Sequence, residues 1–172
     1  MKIAYTMGTG RGDTDLLLLG IAQTLASKGY RTCGTVQINT ERDGGPCDMD
    51  VKVLPDGPTL QISQDLGKAS KGCRLDPNAL ETAVGLVATQ LEDDADILII
   101  NKFGKHEAEG RGFRTVIAEA ISRDIPVLVG VNALNLDAFQ VFAGAEAIQL
   151  DPCAQEIVEW IDKTLNLNRQ VA

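Results

Sequence analysis

Histidine is nearly absent from this 172-residue chain: His106 is its one copy, and the four cysteines form no C-x-x-C pair. One imidazole in a polar segment is too little for a metal centre. With only scattered acids beside it, no Ser–His–Asp triad and no paired-carboxylate arrangement can be assembled, although an acid/base role for His106 stays open. Positive charge is also scarce, since 16 Lys and Arg against 24 Asp and Glu leave a net charge of −8. Nucleic acid is therefore not an expected partner, because phosphate backbones are held by clustered cations, and the acidic balance is read as solubility. No apolar run approaches the roughly 20 residues of a membrane span, so no membrane partner is expected. A single lysine and a short apolar run precede the first glycines, which is not a signal peptide, and the expected location is cytoplasmic. There Cys33, Cys47, Cys73 and Cys153 are expected to stay reduced, with a Cys47/Cys73 redox or metal pair as the alternative. Neither a linker nor a repeat interrupts the chain, so residues 1–172 read as one domain with room for a sizeable core.

What the chain does have is a glycine-rich beginning, MKIAYTMGTGRGDTDLLLL over Met1–Leu19. An apolar run at Ile3–Tyr5 feeds a turn carrying Gly8, Gly10 and Gly12, and the turn feeds a leucine-rich helix. Glycine lets a backbone approach a ligand closely, and loop N–H groups with a helix N-terminus make an anion site. Against the phosphate-loop pattern G-x-x-x-x-G-K-[ST], Gly12 and Thr14 fit, while Met7 replaces the first glycine and Asp13 the lysine. An aspartate at that point repels phosphate, and Arg11 is the candidate replacement cation. Asp13 can instead cap the helix or ligate a metal. The dinucleotide fingerprint G-x-G-x-x-G is the other option; it falls one residue short here, with Glu41 as its ribose acid.

Strand and helix signals then alternate. Strands are expected at Ile3–Thr6, Arg31–Ile38, Asp96–Ile100, Pro126–Val131 and Ala147–Leu150. Helices are expected over Thr14–Ser27, from Pro77 to Leu91, from Gly112 or Phe113 to Arg123, over Leu136–Phe142, and from Asp151-Pro152 to Leu165. Val51–Leu54 and Thr59–Ile62 predict a small edge hairpin, and Ser63–Arg74 a loop that is either a flap or an excursion. The fold class is α/β: a three-layer, P-loop-NTPase-like domain with a mainly parallel sheet.

Ligands of such sheets sit beyond the carboxyl ends of the strands. Gly8–Thr14, Asn39–Arg42 and Asn101–Glu107 converge there in this reading. Asn132 and Asn135 follow the fifth strand, where they either face the ligand or, as the favoured reading, Asn135 caps the next helix.

Two family resemblances attach to these residues. The run Asp96–Glu107 with Phe113 resembles the Walker B region of a small nucleoside-triphosphatase family, with Gly104, Lys105, Glu107 and Phe113 in register. Thr40–Gly45 resembles that family's Thr-Glu-x-x-Arg-x-Gly-Gly stretch, shortened. The family's two Walker B acids are Asn101 and Lys102 here, which with Asp13 removes three groups that Mg-assisted phosphoryl transfer uses. The whole chain resembles more closely a bacterial domain-of-unknown-function family. Its members carry this glycine loop, Cys47–Asp50, Gly72–Pro77, Asn101–Lys105 and Val131–Asn135, and are often encoded beside molybdenum-uptake or molybdenum-enzyme genes. That resemblance implies a molybdenum-linked role.

The expected site is thus a degenerate one that binds a nucleotide or an oxyanion such as molybdate, with little or no ordinary NTPase activity. Gly8, Thr9, Gly10, Arg11, Gly12, Asp13 and Thr14 form its cradle, with Asn101, Lys102 and Lys105 on the far wall. Catalytic candidates are Asp13 and Glu107. An active triphosphatase or phosphotransferase, with Mg held by Asp13, Asp15 or Glu107, is the first alternative. A non-catalytic partner of a molybdenum system is the second. Partner classes are a small anion, a further copy of the chain, or a molybdenum-system protein.

Overall fold

A computed structural model describes residues 2–10, 12–40, 48–64, 75–144 and 146–171. Among them seven strands form one sheet: β1 (Ile3–Thr6), β2 (Thr32–Thr40), β3 (Asp48–Val53), β4 (Thr59–Gln61), β5 (Ile97–Phe103), β6 (Val127–Val131) and β7 (Ile148–Leu150). Their order is β4-β3-β2-β5-β6-β1-β7. The β2–β5, β5–β6, β6–β1 and β1–β7 pairs are parallel, and the antiparallel β2–β3–β4 edge contains the expected hairpin.

Helices α1 (Asp13–Ser27) and α6 (Ala154–Val171) cover one face of the sheet. On the other lie α2 (Pro77–Leu91), α4 (Arg114–Ser122) and α5 (Leu136–Ala143). The expected three-layer α/β architecture is what the chain adopts. The period of two in each strand divides the core: Ile3 and Tyr5 face α2, α4 and α5, whereas Ala4 faces α1 and α6.

Local chemistry sets the helix ends. Gly29, at φ 79°, ends α1 in a Schellman turn, with the N–H of Tyr30 donating to the Leu25 carbonyl and that of Gly29 to the Ala26 carbonyl. Asp76 caps α2 by accepting from the N–H groups of Asn78 and Ala79, with Pro77 first in the helix. The last helix begins three residues later than the Asp151-Pro152 signal implies, because the Cys153 N–H turns back onto the Asp151 carbonyl. A four-residue helix, α3 (Lys105–Ala108), was not foreseen; it is too short for a periodic signal.

Aromatic side chains are few but concentrated. Tyr5, Phe139, Phe103 and Phe142 pack ring against ring in that order, tilted, edge-to-face and stacked, with centroids 5.1, 5.2 and 5.7 Å apart, and the Arg114 guanidinium lies 4.3 Å over Phe142. Trp160 packs in the opposite layer, with α1 and the Ala4 face of the sheet. Among the described residues, no helix is long and apolar enough to cross a membrane.

Candidate functional site

The loop from β1 into α1 closes on itself. The Gly8 N–H donates to Thr14 Oγ1 at 2.8 Å, and the Gly10 N–H donates to Asp13 Oδ2 at 2.7 Å. The Thr9 hydroxyl approaches the same carboxylate oxygen at 3.4 Å. A Cβ added at Gly8 would lie 2.8 Å from the backbone nitrogen of Thr14, so that position requires glycine, and one at Gly10 would lie 2.6 Å from Asp13 Oδ2 and push that carboxylate aside. Gly12, at φ 86°, precedes α1 without a side-chain cap, so the cap reading of Asp13 is corrected: its carboxylate bends back to the loop instead. Arg11 lies outside the described residues, as do Glu41, Arg42, Cys47, Cys73 and most of the Ser63–Arg74 loop.

Asp15 joins the three converging segments. Its Oδ1 accepts from Asn101 Nδ2 at 2.8 Å, and its Oδ2 from Asn39 Nδ2 at 2.7 Å and Gln37 Nε2 at 3.3 Å. Asn101 is only 4% exposed, and its Oδ1 accepts the Gln37 backbone N–H at 2.9 Å. That bond orients the carboxamide and turns its NH2 toward Asp15. The sequence reading gave Asp15 a place only as a cation ligand. Its actual role depends on contacts 22 to 86 residues away, which no local pattern displays.

A β-bulge puts Asn101 there. Ile100 pairs with Val129 but Phe103 with Val131, so β5 spends an extra residue between them. The Asn101 carbonyl then presses on Gly130, where a Cβ would stand 2.1 Å from that oxygen and 2.9 Å from Thr14 Cγ2. The loop, the bulge and Gly130 therefore pack as one unit.

Other predicted site residues lie apart from this cluster. Glu107 is buried; its Oε2 accepts the Gly104 N–H at 2.8 Å and its Oε1 the Phe113 N–H at 3.1 Å, tying the β5–α3 turn to the start of α4. Lys102 is exposed within β5. Lys105 is exposed and reaches Glu109 at 3.6 Å along its own helix. His106 sits half-buried on α3. Asn132, not Asn135, is the cap after β6: its Oδ1 accepts from the N–H of Asn135 at 3.1 Å and from Nδ2 of Asn135 at 2.8 Å, while Asn135 caps nothing with its side chain.

Among the described residues, no group of three or more His, Cys, Asp or Glu is placed to hold a metal. The donor set at the loop does not fit a divalent cation either: Asp15 is ringed by N–H donors, and Thr14 Oγ1 is engaged by Gly8. Cys33 is buried, its thiol pushed up to about 11 by burial, with Sγ 3.6 Å from the Val87 carbonyl. A groove of about 810 Å³ runs between α1 and the β2–β3 edge, past Leu19, Ala22, Val36, Ile38 and Leu54. It includes none of the loop residues and carries none of the polar geometry described above.

Comparison with known proteins places this geometry in context. The chain has the same fold as THEP1 from the hyperthermophile Aquifex aeolicus, at 17% identity and a TM-score of 0.66 over 97% of this chain and 98% of that one. It is likewise similar to a human cancer-related nucleoside triphosphatase, at 14% identity and a TM-score of 0.63 over the full length of both. In sequence it is 35% identical over 172 residues to the molybdenum import ATP-binding protein ModC 2 of Bradyrhizobium diazoefficiens. That match takes in 98% of this chain but only 19% of the relative's length. A family model matches residues 3–160, and the chain belongs to that family, described as a protein of unknown function, DUF2478.

Proposed function

We propose that residues 1–172, read as one P-loop-like α/β domain, bind an oxyanion at the Gly8–Thr14 loop. The ligand is a nucleotide phosphate or a tetrahedral oxyanion such as molybdate, in molybdenum-related metabolism. One observation carries the reading. The loop already holds an anionic oxygen, that of Asp13, 2.7 Å from the Gly10 N–H, beside a helix N-terminus with no side-chain cap. Arg11 is the proposed loop cation, and Thr9, Gly12 and Thr14 complete the lining. Asn101 forms the wall behind it, and Lys102 and Lys105 supply outlying positive charge. The relative named for molybdenum import supports the metabolic setting.

Ordinary nucleotide hydrolysis is not part of the proposal. Asp13 stands where a phosphate-gripping lysine would be, and Asn101 and Lys102 stand where the acids of a Mg site would be. Glu107 has both carboxylate oxygens engaged by backbone N–H groups, which makes it a structural residue. Calorimetric titration of ATP, GTP and molybdate tests the reading: heat with one of them is expected, and no heat with any of them sinks it. Phosphate release with Mg or Mn is expected to stay at background.

A second reading has its own support. The chain corresponds to 19% of a longer molybdenum import ATP-binding protein, so a domain of this kind occurs joined to such machinery. In this reading the domain acts as a non-catalytic partner in a molybdenum system. Co-purification with the ATP-binding subunit of a molybdate importer is then expected, and independent elution of the two would remove this reading.

A further inference from the structure

The oxyanion reading leaves open why the cradle should carry an acid, and the loop's hydrogen bonds answer this. The Gly10 N–H and the Thr9 hydroxyl converge on Asp13 Oδ2, and the Gly8 N–H is spent on Thr14 Oγ1. The carboxylate lies in the space that the absent Gly10 side chain leaves, 2.6 Å from where a Cβ would be. Donors that could face a ligand thus face the chain's own side chains.

A second observation lies beneath the loop. Thr6, the last residue of β1, is fully buried, and its hydroxyl oxygen has no hydrogen-bond partner among the described residues. Thr6 is in register with Gly130 in a parallel pair, and the Gly130 Cβ position lies 2.9 Å from Thr14 Cγ2. By alternation along the strand, Thr6 lies on the face of the sheet that α1 covers, the face from which Thr14 Cγ2 approaches the Gly130 position, and the Thr14 hydroxyl is turned toward Gly8. Buried hydroxyls are nearly always paired, so this arrangement is incomplete as it stands.

We infer that Asp13 is a built-in plug: the loop's oxyanion position is held closed by an intramolecular carboxylate, and a ligand binds by displacing it. Displacement frees the Gly10 N–H and the Thr9 hydroxyl together. The plug also selects its displacer. A monoanionic carboxylate in solution offers the loop nothing that Asp13 lacks, and it must compete with a group tethered beside the site. A tetrahedral dianion brings more charge and more acceptor oxygens to the same donors, so orthophosphate and molybdate are favoured over acetate.

This inference rests on the oxyanion reading, and its test separates the two. Orthophosphate, molybdate and acetate are titrated into wild type, Asp13→Asn and Asp13→Ala, with hydrogen exchange at the Gly10 amide followed in parallel without ligand. If the loop is open for only a few per cent of the time, removing the plug tightens dianion binding by about 10-fold or more. Asn keeps a neutral acceptor and Ala keeps none. The plug predicts a larger gain for Asp13→Ala than for Asp13→Asn, together with faster exchange at Gly10 in Asp13→Ala. Equal gains in the two variants would mean that removing charge is the whole effect, and would overturn the plug while leaving the oxyanion site intact. Dianion affinities unchanged across all three proteins would overturn it in the same way. No binding to any of the three, with Gly10 exchange still accelerated in Asp13→Ala, would overturn the oxyanion reading itself, and with it any ligand for the plug to exclude.

Discussion

Asn101 donates to Asp15 at 2.8 Å while accepting the Gln37 backbone N–H at 2.9 Å, so one buried carboxamide serves both a carboxylate and a main-chain donor. A carboxylate in its place could do only the second. Asn101→Asp would bring two carboxylates into contact at a buried position and is expected to cost about 3 kcal/mol. Thermal melts of wild type and variant check this.

Gly130→Ala tests the packing of loop, bulge and strand. Its Cβ would meet the Asn101 carbonyl at 2.1 Å, a backbone atom that cannot swing aside. The expected destabilisation is about 3 kcal/mol, read from urea unfolding, with the m-value unchanged. Gly20→Ala in α1 has open space around its Cβ position and is the matched control, expected to be neutral or stabilising.

Glu107 is expected to behave as a brace. Glu107→Ala leaves the N–H groups of Gly104 and Phe113 without their acceptor and should cost about 2–3 kcal/mol. Anion binding at the loop, measured below the melting temperature of the variant, is expected to stay within about threefold of wild type, a factor worth less than 1 kcal/mol.

Stability should respond to acid through Asp162 on α6. The hydrogen bond from Lys28, and then that from Tyr30, holds its carboxyl below its ordinary value of 3.8. A carboxyl lowered in the folded state stabilises above its ordinary pKa and loses that contribution as pH falls through the lowered value. Asp162→Asn should therefore lower Tm by about 2–4 °C at neutral pH, and the gap to wild type should close as the pH drops below that of an ordinary carboxyl. Calorimetric scans across that range check it.

Cys33 should be inert to alkylation in the native protein. Burial raises its thiol to about 11, leaving little thiolate at pH 8. Iodoacetamide labelling followed by peptide mapping is expected to leave Cys33 unmodified until denaturant is added.

Much of the architecture was legible because its signals are local. Asp76-Pro77 starts a helix, Lys28-Gly29 ends one, and unbroken runs such as Ile97–Ile100 mark strands buried on both faces. The site was legible only where backbone chemistry decides it, in the glycine turn and its helix. Asn101 bonds to Asp15 at the start of α1, a partner 86 residues distant, and the Gly130 that admits its bulge belongs to another strand. Sequence register points Lys105 and Glu107 toward the ligand. The short helix α3 instead carries Lys105 along its own axis to Glu109 and folds Glu107 back to brace its turn. Charge type is visible in a sequence; the direction a side chain takes from a turn is not.

Trp160 lies in the layer that holds α1, while the Tyr5–Phe139–Phe103–Phe142 ring cluster lies in the layer opposite. The chain's sole indole is thus an optical reporter for one side of the sheet, and the ring-proton NMR signals of Tyr5, Phe103, Phe139 and Phe142 report on the other. Emission and ring-proton spectra recorded on one denaturation series would show whether the two halves of the core melt together. The face of the sheet that α1 covers would be followed by light from a single residue, without any added label.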